Sequence, residues 1–384
     1  MVEAAVLRSE APLIDRLSTY GVDRREFLKY CAGLTAVLAL PAQFVPRVAQ
    51  ALQAVDKPGL VWLEFQDCAG NTESFLRSRN PAVADLVLDI LSVDYHETIM
   101  AAAGKDAEAA KEATLAKGGY LVVVEGSIPL KDGGVYCTIA GKTARQHLEE
   151  AAAGAVAIIS VGTCSSFGGI PQASPNPTQA VGVDTLISGT PVINLPGCPC
   201  NADNITATIV HYLTFGALPA TDSKGRPLFA YGERIHDSCE RRAHFDAGQF
   251  ALEWGDAGHR SGWCLYKLGC KGPSTFHNCP AIRWNGGTSW PIGAGHGCNG
   301  CSEPSFWDSM SPFYERLPRV SGFGVELTAD QIGLGIAGAT AVGFAAHGVV
   351  KAVQHRAGKG AEEATHGTVE DVNGEGIPAT EEVE

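Results

Sequence analysis

Six cysteines and one histidine at metal-ligand spacing fall between His236 and Cys301: His236, Cys239, Cys264, Cys270, Cys279, Cys298 and Cys301. The spacings are H-x2-C, C-x5-C and C-x2-C, with Cys279 alone between the last two pairs. Close spacing lets one loop bring two ligands to one metal centre, and the separate pieces close the site from different sides. Thiolates with an occasional imidazole suit either zinc or iron–sulfur clusters. Four of the seven fill one four-ligand site. The three left over cannot complete a tetrahedral structural zinc, but they match a 3Fe–4S cluster, and that remainder favours clusters over zinc.

Further cysteines follow apolar runs that read as strands. Leu60–Phe65 leads to Cys68, Ala155–Val161 to Cys164, and Pro191–Leu195 to Cys198 and Cys200; a fourth run, Tyr120–Val124, ends in Glu125-Gly126. Pro81–Leu91 has helical periodicity, with Val83, Leu86, Val87, Ile90 and Leu91 on one face. Near-continuous apolar strands separated by helices predict a doubly wound parallel α/β sheet of flavodoxin-like type over residues 55–220. Ligands of such sheets sit beyond the carboxyl ends of the strands, so Cys68, Cys164 and Cys198 are placed to converge. A helix over Asn204–Phe215 and Leu218-Pro219 close this domain. Residues 221–320 are irregular, rich in glycine, aromatic residues and the ligands above. With little aliphatic core, they would draw much of their stability from metal clusters.

The chain has 384 residues, enough for two cored domains with appendages. A net charge of −13 argues against nucleic acid as a partner, because phosphate binding needs a basic surface. Twelve cysteines could form disulfides in an exported protein, but a chain this large needs no staples and they cluster at metal-ligand spacing.

Residues 1–54 read as an export signal: Arg24-Arg25-Glu26-Phe27-Leu28-Lys29, an apolar run to Pro41, then small residues around Ala49-Gln50-Ala51. The pattern resembles a twin-arginine signal, the kind that exports folded, cofactor-loaded proteins, with cleavage expected near residues 51–54. Residues 331–350 carry no Asp, Glu, Lys or Arg. As a helix they would cover about 30 Å, the hydrocarbon thickness of a bilayer. Lys351, Arg356 and Lys359 follow and would put the C-terminus in the cytoplasm. Residues 321–360 are thus expected to be a transmembrane anchor, and the acidic residues 361–384 a disordered tail.

The whole pattern resembles the small, electron-transferring subunit of membrane-bound nickel–iron hydrogenases. The likeness is most specific at Trp62–Ser74, Arg234–Gly248, Gly262–Pro280 and Gly295–Asp308. It implies two 4Fe–4S clusters and one 3Fe–4S cluster. The distal 4Fe–4S cluster would take His236, Cys239, Cys264 and Cys270. The medial 3Fe–4S cluster would take Cys279, Cys298 and Cys301, with Pro291 where a fourth cysteine would complete 4Fe–4S. The proximal 4Fe–4S cluster would take Cys68, Cys164 and Cys198. Here the chain departs from the family: Asn71 stands at the fourth cysteine. Cys200 is the favoured replacement, because thiolate suits iron–sulfur chemistry, and the Asp67 carboxylate is the alternative. Gly70 and Gly169 stand where some oxygen-tolerant relatives carry two extra cysteines.

The resemblance further implies a large subunit that performs the H2 chemistry and a membrane cytochrome b-type or other quinone-linked partner. The location it implies is the periplasmic face of the cell membrane, reached by the twin-arginine route. No catalytic residue is expected in this chain. Glu73 and Glu125 could line the interface or a proton route, though capping or solvated roles are commoner for such residues. Two alternatives remain: a cluster subunit of a complex I-like quinone reductase, which explains only the first domain, and a zinc-stapled exported scaffold.

Overall fold

Runs of Leu, Val and Ile form the strands of one parallel sheet. The computed structural model describes residues 23–53, 58–78, 92–317 and 329–365. Strands β1 (Gly59–Glu64), β2 (Ser92–His96), β3 (Tyr120–Glu125), β4 (Ala155–Val161) and β5 (Val192–Leu195) pair in the order β2-β1-β3-β4-β5, all parallel. This is one of the two common doubly wound orders. The register sets Trp62, Val123, Ile159 and Ile193 side by side across four strands. Strand side chains alternate between faces. These four therefore share one apolar layer with Leu60, Leu121 and Leu195, while Val61, Leu63, Val122, Val124 and Ile158 fill the other. Burial on both faces explains the unbroken apolar runs. Each large side chain contributes roughly 1.5–3 kcal/mol by leaving water.

The helices that flank and follow the sheet are α1 (Arg24–Val37), α2 (Val45–Leu52), α3 (Gly70–Leu76), α4 (Lys105–Lys117), α5 (Ala144–Ala152), α6 (Gly162–Phe167), α7 (Ala202–Phe215) and α8 (Ala329–Thr365). α7 covers the first layer through Ile205, Ile209 and Val210. α5 covers the second through Leu148 and Ala151, and its start is fixed by a reciprocal capping box between Thr143 and Gln146. α3, α6 and α7 begin where β1, β4 and β5 end, and that carries Cys68, Cys164, Cys198 and Cys200 to one end of the sheet.

The N-terminal apolar run lies on the folded body. α1 and α2 pack against α7, and Phe27, Cys31, Leu34, Leu38, Val48 and Leu52 are buried in the first layer. Arg24 and Arg25 remain exposed. The helix expected over Pro81–Leu91 lies outside the described residues, as does part of the expected cleavage region. β2 has no counterpart in the sequence reading. It is an edge strand of mixed polarity, so it lacks the apolar run that marks the others.

Residues 221–317 carry short helical turns, among which the longest described helix is the five-residue Arg242–Asp246. Their apolar cluster has eight buried residues, and two of these, Cys279 and Cys298, are expected metal ligands. This region belongs with the sheet to one unit, residues 1–318, while residues 319–384 form a second. In the second unit, Gly333–Arg356 of α8 is a 24-residue stretch of mean hydropathy 1.5, long and apolar enough to cross a membrane. Its side chains are exposed throughout, with Phe344 at 75% and Leu334 at 74%. That departs from the buried helix a globular core would give.

Candidate metal centres

The ends of β1, β4 and β5 bring Cys68, Cys164 and Cys198 into one neighbourhood. The Cys164 thiol is pushed up to about 11, chiefly by burial; an amide bond from Ile170 opposes the shift, and Cys68, Asp67 and Glu125 add to it. Cys198, exposed on its loop, has Cys301, Cys164 and Cys68 as thiol neighbours. Gly169 is tight against this group: its φ is +58°, and a Cβ there would lie 2.6 Å from the Cys164 sulfur. Any side chain at that position would crowd the sulfur.

Asn71 does not face the three cysteines as a free amide. Its Nδ2 donates to Glu125 Oε1 at 3.1 Å, and its Oδ1 accepts from the Cys200 amide at 2.8 Å. Cys200 lies behind it, fully buried in the first apolar layer. Burial pushes its thiol up to about 12, with the nearby Tyr231 and Gly162 opposing the shift. The structure thus groups Cys68, Cys164 and Cys198 and buries Cys200 beside Asn71. Asp67 is at the surface, next to the group. Its carboxyl is raised to about 7, first by desolvation and then by Glu125 and Glu64. Carboxylate oxygens of Glu64, Asp67 and Glu125 lie within 4.8 Å of one another.

Glu125 is wholly buried and accepts from the amides of Asn71 (2.8 Å) and Thr72 (3.0 Å) and from the Thr72 hydroxyl (2.7 Å). It therefore satisfies the free amides that open α3. Glu73 is exposed and pairs with Arg77.

His236, Cys239, Cys264 and Cys270 line one cavity, together with Arg241, Tyr266 and Pro273. The His236 ring sits edge-on to Phe245, with centroids 4.5 Å apart. Burial, then the nearby Arg242, holds this imidazole below its ordinary value, which favours the neutral form that binds metal. Backbone amides point at the sulfurs: Arg241 N lies 3.4 Å from Cys239 Sγ, and Cys298 N lies 3.3 Å from Cys270 Sγ.

Cys279, Cys298 and Cys301 line a second cavity of about 460 Å³, which Cys198 also borders. Pro291 is on its wall. The Gly300 amide lies 3.3 Å from Cys298 Sγ. Gly300 itself has φ +78°, and a Cβ would meet Met310 at 2.7 Å, so the Cys298–Cys301 loop closes only with glycine there. A cluster thiolate needs donors aimed at sulfur and space on one side of several sulfurs, and both cavities provide these.

Three positioning residues, Thr163, Arg226 and Glu303, and one buried histidine were not legible in the sequence. The Thr163 hydroxyl donates to the Cys301 carbonyl and accepts from Gly197 N at 2.9 Å, so it ties the loops of Cys164, Cys198 and Cys301 together. Buried Arg226 bonds Asp222 at 2.8 Å and Glu303 at 2.9 Å. Glu303, two residues after Cys301, also accepts from Phe276 N at 2.8 Å. His277 is fully enclosed, and burial followed by the Arg226 charge lowers it to about 3. Cys137 packs at the edge of the second apolar layer, away from the ligand sets.

The chain is similar to known proteins. A family model for the C-terminal part of the NiFe/NiFeSe hydrogenase small subunit matches residues 231–314. One described as NADH ubiquinone oxidoreductase, 20 Kd subunit, matches residues 68–212. The uptake hydrogenase small subunit of Azotobacter vinelandii is 48% identical over 348 residues, covering 90% of this chain and 97% of that one. The quinone-reactive Ni/Fe-hydrogenase small chain of Wolinella succinogenes is 47% identical over 87% of this chain and 97% of its own. Among solved structures, the Ni-Fe-Se hydrogenase of Desulfomicrobium baculatum aligns with a TM-score of 0.64 at 33% identity, over 68% of this chain and 100% of that one.

Proposed function

The chain belongs to the family of nickel–iron hydrogenase small subunits, and from that premise we propose how its residues divide among three clusters. It is the electron-transfer subunit of a hydrogen-oxidising enzyme, it carries iron–sulfur clusters, and its partner is a large subunit. We assign the proximal 4Fe–4S cluster to Cys68, Cys164, Cys198 and Cys200. The medial 3Fe–4S cluster goes to Cys279, Cys298 and Cys301, and the distal 4Fe–4S cluster to His236, Cys239, Cys264 and Cys270. Bound clusters supply one-electron carriers; the chain's own residues supply sulfur, imidazole, amide donors and a dry surround.

One observation carries the reading: the three ligand sets adjoin in series. Cys198 neighbours Cys164 and Cys68 and also borders the cavity of Cys279, Cys298 and Cys301, and the amide of Cys298 reaches the sulfur of Cys270. Cys200 fits as fourth proximal ligand because its amide bonds Asn71, which fills the usual cysteine position, and because thiolate suits iron–sulfur chemistry. The complex I-like alternative accounts for residues 68–212 and leaves the match over 231–314 unexplained.

The sheet region is read as a flavodoxin-like domain over residues 55–220, followed by a cluster domain over 221–320. The Gly333–Arg356 stretch of α8 serves as the anchor within 321–360, with an acidic tail over 361–384. Exposed Arg24 and Arg25 suit twin-arginine export, and a route for folded proteins accommodates α1 and α2 packed on the body. The complex would sit on the periplasmic face of the membrane. A cytochrome b-type or other quinone-linked subunit would take the electrons, in keeping with the name of the Wolinella relative.

The test is EPR of the complex isolated through a tag on this chain, under H2 and after reoxidation. Cluster signals should respond reversibly to H2. Cys200→Ser should alter the proximal signal while Asp67→Asn leaves it unchanged. The reverse pattern overturns the choice of fourth ligand, and signals indifferent to H2 overturn the wiring.

A further inference from the structure

His277 faces the medial cavity and does nothing in the wiring described above. It is 3% exposed, and its Nδ1 lies 3.0 Å from the sulfur of Cys279. Its Nε2 is buried with no hydrogen-bond partner. The ring is fixed in orientation. It meets Tyr231 edge-on, with centroids 5.0 Å apart and an interplanar angle of 85°, and the Tyr231 hydroxyl is itself anchored on the Pro196 carbonyl at 2.7 Å. The His277 amide bonds the Glu233 carbonyl at 3.1 Å, which holds the backbone as well. A buried imidazole with one orphaned nitrogen is costly unless the other nitrogen does something the fold requires.

A metal-bound thiolate can only accept a hydrogen bond, so beside such a sulfur the imidazole proton must sit on Nδ1. That leaves Nε2 as a bare lone pair, which matches its lack of a partner. A donor on a cluster thiolate withdraws charge from it and favours the more negative, reduced cluster.

We propose that His277 is a positioning residue of the medial cluster, whose Nδ1–H bond to the Cys279 sulfur makes that cluster easier to reduce. The inference rests on the medial assignment made above. It implies that the middle of the electron path is tuned by a side chain that binds no iron.

The experiment is an EPR-monitored redox titration of the 3Fe–4S signal in the whole complex, with iron and sulfide content measured alongside. His277→Phe keeps a ring and removes the donor, and its midpoint potential should fall with iron content unchanged. His277→Asn places an amide donor near the Nδ1 position and should restore most of the wild-type potential. His277→Gln places its amide near the Nε2 position and should behave like Phe, which decides the matter if the Phe variant does not fold. Wild-type midpoints in both the Phe and Gln variants overturn the proposal alone. A wild-type complex with iron but no 3Fe–4S signal overturns the medial assignment and the proposal with it.

Discussion

In residues 59–215, five parallel strands send alternate side chains into two apolar layers, each closed by a helix. Residues 221–317 contain more expected ligands and far less aliphatic material: their buried cluster holds Ile235, Ala251, Leu265, Leu268, Trp290 and Ile292 besides two cysteines. The first region is held by burial of side chains whose period is set by the strand. The second is held by loops that meet at sulfur, with glycines where no Cβ would fit. Where a metal cluster links the chain, regular secondary structure is no longer needed to fix it. Asn204 bonds Asn278 and Thr163 bonds Cys301 across the seam between the regions, and within the second region Arg226 and Lys224 grip Glu303.

The contrast can be broken most sharply by removing iron. Chelation under reducing conditions should make residues 221–317 open to protease while the sheet region resists, as mapped by mass spectrometry of the fragments. Equal loss in both regions would contradict the contrast. Next in size is the buried charge cluster within the second region. Glu303→Gln leaves Arg226 buried with Asp222 as its one remaining carboxylate, so the cost should be part of the about 3–5 kcal/mol that an uncompensated buried charge costs. Denaturant unfolding of the complex should register this, with medial iron lost first. Within the sheet, Leu121→Ala should cost about 2–5 kcal/mol and leave iron per folded chain unchanged. Cys137→Ser should likewise leave the iron count alone.

The smallest effect is a pH dependence confined to the sheet region. His147 is held below its ordinary value, first by burial; its Ile139 carbonyl bond opposes this, Lys111 adds to it, and Glu108 and Glu150 oppose it. A histidine depressed in the folded state contributes stability that is full above its unfolded value of about 6.5 and is lost as pH falls through the folded one. The denaturant midpoint should therefore drop on acidification below about pH 6.5. His147→Gln should flatten that drop by less than the shift caused by Leu121→Ala.

Much of this was legible in the sequence because it is local. Four of the five strands are apolar runs, and the ligands of the second region sit at short spacings that one loop can present. What the sequence hid is non-local. Arg226 meets Glu303 from 77 residues away, and Thr163 meets Cys301 from 138. No periodicity encodes such pairs. His277 looked like any polar residue near a cysteine until the fold buried it. β2 escaped notice because an edge strand can stay polar. The run after Arg24-Arg25 read as a leader by composition, and composition does not reveal that its apolar face also fits α7.

The central claim is that three adjoining ligand sets hold three clusters of two kinds. The most direct test is low-temperature EPR with iron and sulfide analysis of the complex purified through this chain. The account predicts about eleven iron atoms per chain, an oxidised 3Fe–4S signal, and nickel in the co-purifying partner. Zinc in place of iron, or 4Fe–4S signals alone without nickel, would contradict it.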